Sequence, residues 1–199
     1  MVFVMGLQLV LPDHFVFGSR FLLIGLEALL LVAMSFTTPK ERVFQSFTRR
    51  ANVFLLIAAA GLANLYGLFE VASKLLQTAK VQNGRELILA AVNIFLTNII
   101  IFGFFYWEMD GGGPGRRANI AKHEHDFLFP QNQNEQYMQS KWLPTFIDYL
   151  YVAATNATAF SPTDTMPLSR RAKMLMLAQA LISLVTIALV AARAVNIPG

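Results

Sequence analysis

Six small polar side chains fall between Thr155 and Asp164: Thr155, Asn156, Thr158, Ser161, Thr163 and Asp164. Hydroxyls, an amide and a carboxylate can replace the water around an ion when several copies of a chain converge on one axis, so the segment is a candidate lining for a hydrated constriction. Phe160, among them, offers the opposite chemistry, an apolar ring that dewets and blocks flow. The same polar groups can instead bond the segment to neighbouring helices, as backbone at membrane depth requires. Elsewhere, His123-Glu124-His125-Asp126 places two imidazoles at i and i+2 between carboxylates. That set could hold a divalent ion on an extended segment, but the spacing is not diagnostic, and a solvated charged loop with no metal is the simpler reading.

Composition determines which elements must position these groups. With 55% hydrophobic and 14% charged residues among 199, the chain has more apolar surface than a soluble domain of this size can hide, which makes it an integral membrane protein contacting the lipid bilayer. Crossing about 30 Å of hydrocarbon takes about 20 apolar residues. Four stretches qualify: Phe15 to Phe36, the run after Arg49-Arg50 that trails to Leu76, Leu87 to Trp107, and Met174 to Val195. Phe104, Phe105, Tyr106 and Trp107 suit an aromatic belt at one interface. Met1 to Val10 lacks the basic start and cleavage site of a signal peptide and is kept as mature chain lying at the interface.

Between the third and fourth spans lie an expected extramembrane loop, 108–143, and a short apolar segment. The loop opens on Asp110-Gly111-Gly112-Gly113-Pro114-Gly115, which reads as a flexible breaker. Pro144 suits the first turn of a following helix, and TFIDYLYVAATNAT gives about 14 residues, too few to cross. It is expected to be re-entrant, surrounded by protein or by a water-filled cavity. Ser161-Pro162 ends it, and the chain returns to Arg170-Arg171. The fold class is therefore all-α, with four transmembrane helices and a re-entrant helix between the third and fourth.

In the last span Gln179, Ser183 and Thr186 fall at i, i+4 and i+7, a polar stripe that suits either a wet cavity or hydrogen bonds between helices. Glu27, in the middle of the first span, must be protonated, paired or facing water, because a charge there costs at least about 2.5 kcal/mol. Asn52, Asn64, Asn93 and Asn98 read as glue between helices, and Ala58-Ala59-Ala60-Gly61 as a close-packing surface. The chain has no cysteine, which excludes disulfides and thiolate sites. It carries no phosphate-binding loop, dinucleotide fingerprint or metalloprotease motif and no convergent acid, base and nucleophile, so neither an enzyme nor a cofactor is expected. Its net charge of +4 is scattered, giving no support for nucleic-acid binding.

Asp148, Leu150, Tyr151, Thr158, Asp164 and Pro167 stand in register with the pore-loop pattern D-x-L-Y-F-x-x-x-T-x-T-T-V-G-Y-G-D-x-x-P. By these residues the C-terminal half resembles the pore module of two-transmembrane potassium channels. The resemblance implies residues 1–84 as an added two-helix membrane segment and 85–199 as the module, with Asp148, Tyr151, Thr155 and Asn156 on the pore helix and the last span as the inner helix. It also implies a homotetramer with permeating ions as partners, located as a multi-pass protein in the plasma (inner) membrane of a bacterium. The filter itself departs from the pattern: Ala159, Phe160, Ser161, Pro162 and Thr163 stand where T-V-G-Y-G is usual. Ser161 and Thr163 replace both glycines, and Pro162 locks its own φ, so the ladder of potassium-binding carbonyls is not expected to form. Two functions follow: an oligomeric pore that is non-selective or selects another ion, or a non-conducting scaffold, sensor or partner-binding subunit. Lys and Arg counts put the pore-loop side in the cytoplasm, whereas the channel resemblance implies the reverse.

Overall fold

The computed structural model describes residues 47–76, 84–117, 125–133, 142–158 and 164–195. Outside the described residues lie the expected first span with Glu27, the segment 159–163, and His123 with Glu124. Among the described residues three helices are long and apolar enough to cross a membrane, over Arg50–Lys74, Ile88–Gly112 and Arg170–Ala192. The protein is a multi-pass helical membrane protein in these terms.

These spans belong to α1 (Phe47–Leu76), α2 (Gly84–Met109) and α5 (Arg170–Val195). Between α2 and α5 lie a one-turn helix, α3 (Pro114–Arg117), and a twelve-residue helix, α4 (Phe146–Ala157). At 1.5 Å per residue α4 is about 18 Å long, well short of the hydrocarbon thickness. Helix α2 is central, with α1, α4 and α5 all packed on it. Phe54 of α1 meets Phe105, and Asn64 donates to the Ile94 carbonyl, so α1 runs antiparallel to α2. Helix α5 is antiparallel to α2 as well, because Gln179 meets Tyr106 and Ser183 meets Asn98.

Close approach follows from small residues, as packing in lipid requires. Ala60 is fully buried beside Ile57 and Ile101. A Cβ on Gly103 would lie 3.3 Å from the Leu150 backbone, so glycine there lets α4 dock on α2. Helix α4 begins two residues later than a start at Pro144 would give: Thr145 is its N-cap, and Pro144 stands just before. The Asp148 carboxylate accepts hydrogen bonds from the Thr145 backbone N–H (2.7 Å) and hydroxyl (2.8 Å), holding the first turn closed. Helix α5 begins at Arg170, four residues before the apolar run, because the Ser169 hydroxyl accepts from the Ala172 N–H and caps it. Its first turn therefore carries Arg170, Arg171 and Lys173.

The loop after α2 is more ordered than a flexible breaker. Gly111, Gly112 and Gly113 take φ of 57°, 82° and 96°, a left-handed run that stops α2 and folds the chain back. A Cβ at Gly111 would approach Arg117 Cγ to 2.8 Å. Arg117 is thereby brought under the end of α2, where one guanidinium nitrogen donates to the Trp107 (2.7 Å) and Asp110 (2.6 Å) carbonyls. This satisfies terminal carbonyls and places a cation at the negative end of the helix. A short antiparallel ladder, absent from the all-α expectation, pairs β1 (Phe127–Leu128) with β2 (Met166–Pro167).

Candidate functional site

The strongest polar constellation gathers where α2, α4 and the loop meet. Asp110 and Tyr149 are both fully buried, and the Tyr149 hydroxyl donates to one Asp110 carboxylate oxygen. The other oxygen accepts the backbone N–H of Asp126 (2.6 Å) and of Phe127 (3.3 Å). Arg117 lies over the Tyr149 ring at 5.0 Å, and His125 Nδ1 is 3.9 Å from Asp110. Burial, and then the Asp110 charge, pushes the Tyr149 phenol upward, so it stays a proton donor. Around this group Phe127, Phe129, Tyr149, Phe102 and Tyr106 form an aromatic core.

Asp110 thus ties the end of α2 to α4 and to the start of β1. The β1–β2 pair, with a Leu168 N–H to Asp126 carbonyl bond of 2.8 Å, then ties the same stretch to the chain entering α5. Consequently α4 and β2, which stand on either side of residues 159–163 in the sequence, are both fastened to residues 110–128. The surface ion pair of Arg171 with Asp126 (3.7 Å) is largely exposed on the arginine side and contributes little.

A second network lies deeper. Gln179 is fully buried. It donates to the Ala153 carbonyl (2.8 Å) and accepts from the Tyr106 hydroxyl (2.6 Å) and the Asn156 amide (2.8 Å). Asn156 also donates to the Met176 carbonyl at 2.9 Å. One turn on, Asn98 donates to Ser183 Oγ at 2.8 Å, and Thr186 returns its hydroxyl to the Ile182 carbonyl. Gln179, Ser183 and Thr186 therefore face inward with Ala172 and Met176, while Met174, Leu177, Leu181, Leu184, Val185 and Ile187 face outward. The same inward turn draws in Tyr106, which sits against α4 and α5, and Phe104, which stacks on Phe146 at 4.5 Å. The aromatic run thus packs between helices.

The pore-helix candidates separate. Asp148 serves the α4 N-terminus, and Asn156 joins the Gln179 network. Thr155 bonds back to its own helix at Tyr151 and Val152, and Tyr151 is exposed. Thr158 closes α4 by donating its hydroxyl to the Ala154 carbonyl, and Asp164 is exposed. Ala159, Phe160, Ser161, Pro162 and Thr163 lie outside the described residues. Of the histidine cluster, His125 and Asp126 belong to the Asp110 group, and no metal-holding set of three ligands occurs among the described residues.

Asp110, Tyr149 and Arg117 were not legible as a group beforehand. One signal was present: an acid at the C-terminal end of a helix opposes the helix dipole, so Asp110 needed donors from elsewhere. An apolar cavity of about 300 Å³ opens between α1, α2 and α5, bordered by Gly61, Leu65, Asn98, Phe102 and Ile182, so that it touches the second network at Asn98. No protein-family model, curated protein or solved structure matches the chain.

Proposed function

We propose that the chain is a subunit of an oligomeric pore-loop membrane protein, a tetramer by its likeness to channels. In this reading α4 enters the membrane without crossing it, and Thr158 to Asp164 bound the constriction. The observation that carries the reading is α4 itself: twelve residues, too short to span, docked on α2 and α5 and leading directly into the polar segment. Because Ser161, Pro162 and Thr163 oppose a carbonyl ladder, the pore passes ions non-selectively or selects an ion other than potassium.

A non-conducting scaffold, sensor or partner-binding subunit is the second reading. It is favoured by the inward turn of Gln179, Ser183 and Thr186, which leaves the outward face of α5 aliphatic. Ion flux through purified protein in liposomes, comparing potassium, sodium and chloride, separates the two. Flux whose selectivity changes in Phe160→Ala or Ser161→Gly supports the pore. Silence in wild type with flux in Phe160→Ala marks a closed apolar gate, and silence in all three supports the scaffold.

By the Lys and Arg count, and against what the channel likeness implies, the bundle end carrying Arg116, Arg117, Arg170, Arg171 and Lys173 faces the cytoplasm. Because the chain has no cysteine, a single Gln133→Cys substitution reports on that end. An impermeant maleimide is expected to label it only after the membrane is opened; labelling of intact cells would reverse the orientation.

A further inference from the structure

The outward face of α5 changes character along its length. Arg170, Arg171 and Lys173 are exposed in the first turn. Below them Met174, Leu177, Leu181 and Leu184, spaced three or four apart on one face, are each more than half exposed. Met166 and Leu168, also at least half exposed, extend the apolar surface onto the strand that precedes the helix. Arg171 has a partner in Asp126, but no ion pair to Arg170 or Lys173 is present among the described residues.

We propose that this face seats an anionic phospholipid of the surrounding leaflet, with its phosphate beside Arg170 and Lys173 and its chains along Met174, Leu177, Leu181 and Leu184. Charge complementarity identifies the occupant. Three cations within four residues sit where the apolar column of the helix ends, which is where headgroups lie, and long basic side chains reach outward to that level. A zwitterionic lipid fits the column equally well and brings the same phosphate, but its own ammonium cancels that charge beside the cations. A soluble anion matches the cations but leaves the column unused. The inference needs this face of α5 to meet lipid and so rests on the second reading, in which α5 does not line a pore.

Native mass spectrometry of the full chain in a neutral detergent tests this, with phosphatidylglycerol, phosphatidylcholine and glycerol phosphate added in turn. Several-fold tighter binding of phosphatidylglycerol than phosphatidylcholine is expected in wild type. Arg170→Gln/Lys173→Gln, which leaves the Arg171–Asp126 contact in place, is expected to abolish that preference without lowering the midpoint of thermal unfolding in lipid-free detergent. Equal binding of the two lipids, or a preference that survives the double substitution, would overturn the proposal. So would glycerol phosphate displacing phosphatidylglycerol at comparable concentration, since that identifies a soluble-anion site.

Discussion

The two ends of the helical bundle are held together by different forces. At the loop end, α2, α4 and α5 are joined through Asp110, Tyr149, Asn156 and Gln179, each bonded to groups on other elements. At the opposite end Leu68, Val71, Ala90 and Ile94 pack with Leu189 and Ile182 through apolar contact, and Asn64 donates to the Ile94 carbonyl. In water the second arrangement would be the stronger. In lipid, apolar surface gains little from meeting another helix instead of an acyl chain, so directional polar bonds decide which helix faces pair. The loop end therefore defines the arrangement, and the far end fills space around it.

This contrast breaks first at Asp110. Asp110→Ala leaves the Tyr149 hydroxyl and the Asp126 and Phe127 N–H groups buried without their acceptor, a loss of about 3–5 kcal/mol. Thermal unfolding followed by circular dichroism in detergent is expected to show a greatly lowered midpoint or no folded protein. Gln179→Leu, which strips acceptors from Tyr106 and Asn156, is expected to cost about 1–3 kcal/mol by the same measurement. A double-mutant cycle on Asn98→Ala and Ser183→Ala is expected to give a coupling of about 0.6–2 kcal/mol. At the far end Ile94→Val should cost only about 0.5 kcal/mol; an effect there equal to that of Gln179→Leu would reverse the comparison.

Titration sharpens the same point. The Tyr149 phenol, raised by burial and by Asp110, retains its proton in the folded chain at a pH where an unfolded chain, with its ordinary value of 10.0, releases it. Its contribution to stability is therefore complete below pH 10 and declines as pH rises beyond it. Wild type is expected to lose stability above pH 10 more steeply than Tyr149→Phe, which lacks that proton. Parallel slopes would remove Tyr149 from the account.

What the sequence made legible follows the physics of each element. Apolar runs of membrane length located α1, α2 and α5 because hydrocarbon thickness leaves few alternatives. The shortness of α4 was equally plain, bounded by Pro144 and by Ser161-Pro162. The spacing of Gln179, Ser183 and Thr186 identified a shared helix face but not its direction, since wet cavities and helix contacts both take polar groups. Asp110 was hidden because its donors come from residues 126, 127 and 149, a convergence that exists only once the three glycines turn the chain. The Phe127–Pro167 pairing was hidden for a similar reason: a two-residue ladder leaves no alternating pattern to read.

The fastening of α4 and β2 to a common stretch has a consequence for how this molecule can change. When both abutments of a short bridge rest on the same foundation, the closure entropy of the bridge is met by the foundation and not by the deck. Substitutions at positions 159–163 are then expected to leave the supports standing. A chassis of this kind lets an ancestral or engineered chain trial new sequences between fixed supports.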